Sequence, residues 1–175
     1  MGDPNKYLDI APVFNEGGVP TPPFTGNDEA NRLLGRDSNA LLIGLVLDQQ
    51  ITMEKAFSGP YELQRRLGHL DVHKIAAMPQ EDFLAVMRES PAIHRYPKNM
   101  GKRVQDACRV VVEDFGGAAE NIWKDQPDAA TVMKRIGTVP GIGPAKQKIA
   151  MLILGRYYGQ DIDGWREAAP VTVPA

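Results

Sequence analysis

The stretch Val139-Pro-Gly-Ile-Gly-Pro144 constrains this chain more than any other. Upstream, Ala130, Met133 and Ile136 recur at helical spacing, and downstream Ile149, Leu152 and Ile153 do the same. Two glycines separated by one apolar residue, set between two helical patterns, make a helix-hairpin-helix. Glycine permits positive φ and leaves no side chain in the path of a ligand. After Pro140, the amides around Gly141, Ile142, Gly143 and Ala145 would lie at the positive end of the second helix, which suits an anionic oxygen. Lys146 and Lys148 add charge beside that cradle, and a DNA phosphate is its natural guest. The plainer reading is a tight interhelical turn with no ligand.

Composition narrows the setting. At 175 residues, with 43% apolar and 24% charged content, the chain is long enough for one domain with a real core. Its net charge of -2 argues against bulk electrostatic capture of nucleic acid. Any such site must be a local basic patch. The single cysteine, Cys108, excludes an internal disulfide and a cysteine-ligated iron–sulfur cluster; it falls in an apolar helical stretch and reads as core. His94 has no second histidine at metal-ligand spacing, so neither a metal nor another cofactor is expected. No run is long enough to span a bilayer and no signal pattern opens the chain, which predicts a cytoplasmic monomer.

Taken in order, residues 1–26 are proline-rich and aperiodic, an extended arm laid over the body, and 27–175 form a helical domain with the hairpin at 139–146. Asn27 caps a helix through Leu34, and Ser38 or Asn39 caps the next. Ala40 to Leu47 is apolar nearly all round, which predicts a buried central helix. It delivers Asp48, Gln49 and Gln50 at one end, either as a site or as a simple exit to solvent. Thr52 caps a short helix through Phe57; Ser58-Gly-Pro60 breaks the chain, and Pro60 starts another through Leu67. Short helices follow at 72–78 and 79–88, then a loop whose His94 and Tyr96 either line a site or pack. A long helix covers 99–115. Lys102 and Arg103 near its start oppose the helix dipole, as a face toward phosphate or as a solvated basic turn. Pro127 starts the first hairpin helix, the second ends near Tyr158, and a last short helix covers 165–169. No strand pattern stands out, and the class is all-α with short helices.

The buried apolar helix ending in Gln-Gln, the run of short helices, Cys108-Arg-Val-Val-Val-Glu113 and Val-Pro-Gly-Ile-Gly143 together resemble the HhH-GPD superfamily of DNA glycosylases, which includes endonuclease III. The resemblance covers about residues 38–165, and its pattern is particularly similar to a small actinobacterial-type group. It implies a base-excision repair enzyme that bends duplex DNA and flips a damaged or mismatched nucleotide into a pocket. Gln50 matches the side chain that fills the vacated stack, with Gln49 beside it, and the hairpin amides grip the backbone. The family's aspartate follows the second hairpin helix. Asp163 stands at the corresponding distance and is placed to cap the helix at Trp165; Asp161 and Asp48 are weaker candidates.

The departures are specific. Bifunctional members carry a lysine where this chain has Ala145, so no lyase activity is expected from that position. Lys146 lies about 100° further round the helix. Gln147 replaces a residue that is commonly small, which implies altered hairpin packing. These features imply a monofunctional glycosylase without a cofactor. The alternatives are a non-catalytic helix-hairpin-helix module for bent or damaged DNA and a helical interaction scaffold.

Overall fold

The computed structural model describes residues 3–174. Nine α-helices are formed among them: α1 Asp28–Arg36, α2 Ser38–Leu47, α3 Met53–Leu67, α4 Val72–Ala77, α5 Gln80–Arg88, α6 Pro97–Asp114, α7 Ala129–Ile136, α8 Pro144–Tyr157 and α9 Trp165–Ala168. Two 3-10 turns, Pro4–Tyr7 and Ala119–Ile122, complete the set. The described residues contain no strand; a lone antiparallel bridge joins Phe14 and Pro20.

Helix α2 is the axis of the fold. Every residue from Ala40 to Leu47 is buried, and α1, α3 and α6 pack around it. Burying each of its large side chains stabilises the fold by about 1.5–3 kcal/mol. Its cap is Asp37, whose carboxylate accepts from the amides of Asn39 and Ala40, and not Ser38 or Asn39 as the sequence suggested. Those two side chains serve the link between α6 and α7 instead. Ser38 Oγ accepts from Glu120 N–H at 3.0 Å, and the Asn39 amide accepts from Ala119 N–H at 2.8 Å and donates to Gly117 O at 3.0 Å.

The expected break at Ser58-Gly-Pro60 does not occur: α3 runs unbroken through Pro60. A proline ring inside a helix crowds the carbonyl four residues back and the N–H and Cβ of the residue before it, and here that residue is Gly59, which removes the Cβ part of the clash. Gly59 also lets α3 approach α2, since a Cβ there would stand 2.4 Å from Leu47 Cδ1. Helix α6 is seated in the same way on α5, where Gly101 faces Leu84 and Met87. Cys108 lies on its inner face, and burial pushes the thiol up to about 12, which suits an inert core residue. Helix α7 is capped by Asp128 and begins at Ala129 rather than Pro127.

The segment before α1 is packed on this body. Tyr7 and Phe24 are buried, with their rings edge-on at 5.7 Å, and Phe24 also meets Phe57 and Tyr157. The chain crosses α1 so closely that a Cβ on Gly35 would fall 1.6 Å from Pro20 O.

Candidate nucleic-acid interface

The hairpin begins with a β-turn. Ile142 N–H donates to Val139 O at 3.1 Å, with Pro140 second and Gly141 third at φ 90°. Proline followed by a positive-φ residue is the signature of a type II turn. Val139 and Ile142 anchor it in the core. Gly143 then precedes α8 in extended geometry, φ -79°, ψ 179°. The two glycines therefore differ: Gly141 is required by its backbone angle, whereas a Cβ on Gly143 would meet nothing within 4 Å. The first intrahelical bond of α8 runs from Gln147 N–H to Gly143 O at 2.9 Å. That leaves the amides of Gly143, Ala145 and Lys146 without an intrahelical partner, as an anion cradle requires. Gln147 closes the hairpin from within, its Nε2 donating to Ile142 O at 3.4 Å beside Gly137.

Lys148 and Ala145 are exposed beside the cradle, but Lys146 is not. It is 6% exposed, and its Nζ donates to Val46 O at 3.4 Å. This corrects its expected place beside Lys148 on the surface. Positions 146, 149, 150 and 153 share the inner face of α8. Burial pushes Lys146 down to about 8, against the pull of the Asp48 carboxylate and with the help of Arg103 and Lys6.

Val46 O is one of the orphan carbonyls at the end of α2. His94 serves two more acceptors there: its Nε2 lies 3.1 Å from Leu47 O and 3.0 Å from Gln49 O. Because His94 Nδ1 accepts from Tyr96 N–H at 2.9 Å, the ring proton resides on Nε2. His94 is thus packed beneath the surface, and burial lowers its proton affinity; its ring forms part of the wall of a cleft beyond this cap.

Beyond this cap the chain turns sharply. Gln50 is exposed and has φ 58°, unusual for a residue with a side chain and worth noting near a site. Gln49 accepts from Arg103 Nη1 at 2.7 Å through its Oε1. Gln49, Gln50, His94, Tyr96, Asn99, Met100 and Arg103 line an open cleft of about 280 Å³. Tyr96, 40% exposed, stands on its rim. Arg103 also touches the hairpin side, since a Cβ on Gly141 would meet its Cδ at 3.6 Å. Lys102 is half-buried one residue earlier on α6.

The two candidate aspartates separate. Asp48 ends α2 with its carboxylate 6% exposed; Lys6 Nζ donates to both oxygens at 3.2 and 3.1 Å, and the Tyr7 hydroxyl donates to Oδ2. Asp163 is exposed at the other end of the hairpin helices: its carbonyl accepts from Ala129 N–H, at the start of α7. Eight residues of α7, about 12 Å of helix, separate that point from the hairpin turn. Nor does Asp163 cap α9, whose first residue follows Gly164 at φ 83° with no side-chain cap. The structure therefore joins Asp48, Gln49, Gln50, Arg103, Lys146 and the hairpin, and leaves Asp163 outside. Nothing in the sequence pairs Lys6 and Tyr7, the arm residues on Asp48, with that carboxylate. Among the described residues, no cluster of His, Cys, Asp and Glu is placed to hold a metal ion, and no helix is long and apolar enough to cross a membrane.

Solved structures share this fold. One is a trapped covalent intermediate of endonuclease III with DNA, in an estranged-adenine complex: TM-score 0.51, 20% identity, covering 71% of this chain and 49% of that one. A non-covalent endonuclease III–DNA complex matches with TM-score 0.51 and 19% identity over 70% of this chain and 49% of the other. A thermostable thymine-DNA glycosylase matches with TM-score 0.50 and 16% identity over 71% and 49%. The chain has the endonuclease III-like helix-hairpin-helix fold. It spans about half the length of the solved chains it matches. No protein-family model and no curated protein matches it.

Proposed function

We propose that this protein is a DNA repair glycosylase that flips a damaged or mismatched base from duplex DNA and releases it by hydrolysis. The observation that carries this reading is the convergence, on an endonuclease III-like fold, of a hairpin with unpartnered amides, Arg103 and the Gln49-Gln50 turn. The amides and Arg103 suit phosphate oxygens, and Lys148 and Lys102 extend the basic surface. Gln50, exposed on a strained turn, is shaped to enter the stack that a flipped base vacates. The neighbours' partners, DNA in two of the three, support DNA as the ligand.

The chemistry is hydrolysis at the sugar carbon that bears the base: water adds as the bond to the base breaks, through a cationic sugar. We assign Asp48 the role of the fixed negative charge that steadies this cation, because it is the candidate carboxylate joined to the hairpin side of the fold. Phosphates of the bound strand would offset Lys146 and Arg103. No amine stands at Ala145, so the reading is monofunctional. We place the protein with the small actinobacterial-type members its motifs resemble, as a cytoplasmic monomer that meets DNA at the nucleoid, with residues 1–26 as an arm on the helical domain.

The test is base release from labelled duplexes carrying uracil, hypoxanthine, an alkylated purine, 8-oxoguanine or a mismatched adenine, each with and without hot alkali. Strand cleavage only after alkali is the expected result. Cleavage without alkali would overturn the monofunctional assignment. Binding to an abasic-analogue duplex without release from any substrate would favour a DNA-binding module without chemistry.

A further inference from the structure

The arm reaches the hairpin site through one carboxylate. Asp48 gives both its oxygens to the arm, to Lys6 Nζ and to the Tyr7 hydroxyl. Lys146, the buried amine of the hairpin, turns instead to a backbone carbonyl, Val46 O. The arm is fixed in this pose. Tyr7 is fully buried, and the Tyr157 hydroxyl donates to Tyr7 O and to Ile10 O. Arg156 Nη2 reaches Leu8 O at 3.4 Å and Ile10 O at 3.3 Å. Burial and the adjacent carboxylate raise the proton affinity of the Tyr7 hydroxyl, so it remains a donor throughout the working range.

We propose that Lys6 and Tyr7 are positioning residues that hold Asp48 off Lys146, and so keep the hairpin's buried amine ready to take up a proton when a phosphate binds. The charged and titratable groups that act on Lys146 are Asp48 at the end of α2, Lys6 from the arm, Arg103 from α6 and His94 from the loop before it, with Tyr7 bound to Asp48. Both arm donors bind the carboxylate whose charge favours the ammonium form of Lys146. Burial, Arg103 and Lys6 favour the neutral amine, and an Asp48 committed elsewhere compensates only in part. The result is an amine poised near pH 8. A phosphate on the adjacent amides adds negative charge, which favours the ammonium. Above pH 8, binding therefore proceeds with proton uptake and weakens as pH rises. The phosphate half of this inference rests on the DNA-binding reading; the positioning half does not.

Two measurements separate the halves. Without DNA, carbon-13 methylation of lysines with NMR detection follows the titration of Lys146. The expected midpoint is about 8 in the wild type, raised by about one pH unit in Lys6→Met and in Tyr7→Phe, and lowered in Asp48→Asn. Tyr7→Phe keeps the buried ring and removes only the hydroxyl, so a purely structural Tyr7 predicts no movement. A wild-type midpoint near 10.5, or midpoints unmoved by both arm variants, would overturn the positioning role.

With a duplex carrying a tetrahydrofuran abasic analogue, at constant ionic strength, wild-type affinity should be level at neutral pH. It should then fall by up to about tenfold per pH unit above 8, while Lys146→Met stays flat. A wild type that binds with no pH dependence would overturn the proton uptake. No binding at any pH would refute the DNA reading and the phosphate half with it, leaving the titration to decide the positioning.

Discussion

The carbonyl oxygen of Asp163 accepts a hydrogen bond from the backbone amide of Ala129 at 2.8 Å. That bond ties the loop after α8 to the start of α7, at the opposite end of the pair from the hairpin. Sequence distance alone placed Asp163 where the family's carboxylate stands, but α8 runs for 14 residues and the loop after it does not return. Asp163→Asn should leave base release within about twofold of the wild type, the range of a surface substitution. Asp48→Asn should slow release by about tenfold or more, while abasic-duplex affinity measured at about pH 6, where Lys146 keeps its proton, stays unchanged or tightens because an anion leaves a cationic cluster. Single-turnover rates beside equilibrium binding make the comparison; a large loss in Asp163→Asn alone would reverse the assignment.

The two hairpin glycines should separate stability from binding. Gly141 sits at φ 90°, so Gly141→Ala strains the backbone and should cost about 1–2 kcal/mol of stability. Gly143 has an ordinary φ and open space at its Cβ position. Gly143→Ala should therefore fold as well as the wild type, yet place a methyl group in the anion cradle. Loss of one charge-assisted hydrogen bond weakens binding by roughly tenfold. Urea melts and titrations with an abasic-analogue duplex report the two quantities; equal affinity in Gly143→Ala would remove phosphate from the cradle.

Much of this architecture was legible because it depends on local pattern. The all-apolar run Ala40–Leu47 could only be buried, and the glycine pair between helical repeats could only be a turn. Lys146 was legible too, since its i+3, i+4 and i+7 neighbours are all core residues, but its charge argued for the surface. The unbroken α3 was hidden by treating Pro60 as a breaker without weighing the missing Cβ of Gly59. Lys6 had no local signal, and Tyr7 could be read only as one of the apolar residues that lay the arm on the body, not as a partner of Asp48. Their partner Asp48 lies some forty residues away, at |i−j| of 42 and 41, and only the folded chain brings them together.

His94 should make the end of α2 sensitive to acid. Its ring donates to two carbonyls while neutral, and burial holds its proton affinity below the ordinary value of 6.5. The folded state then binds fewer protons than the unfolded state as pH falls below 6.5, so stability is lost across that window and is fully present above it. His94→Ala should cost about 1–3 kcal/mol at pH 7, by taking the His94 donor from Gln49 O while Leu47 O keeps only the Gln49 amide, and should flatten the acid slope of the melting temperature. An unchanged slope would mean that carboxylates account for the acid loss.

Lys146→Met should stabilise the fold. The amine's folded value, about 8, lies below the ordinary 10.5, so between them the unfolded state holds the extra proton and stability rises with pH. Below pH 8 the full deficit applies, roughly 3 kcal/mol for a side chain this deeply buried. Methionine keeps the apolar stem and drops the charge, Asp48 retains Lys6 and Tyr7 as donors, and loss of the long 3.4 Å bond to Val46 O offsets only part of the gain. The variant should melt several degrees higher at pH 7, and its advantage should shrink as pH climbs from 8 toward 10.5. Thermal melts of both proteins across that range would show it. A gap that stays constant with pH would assign the gain to packing and leave Lys146 charged throughout.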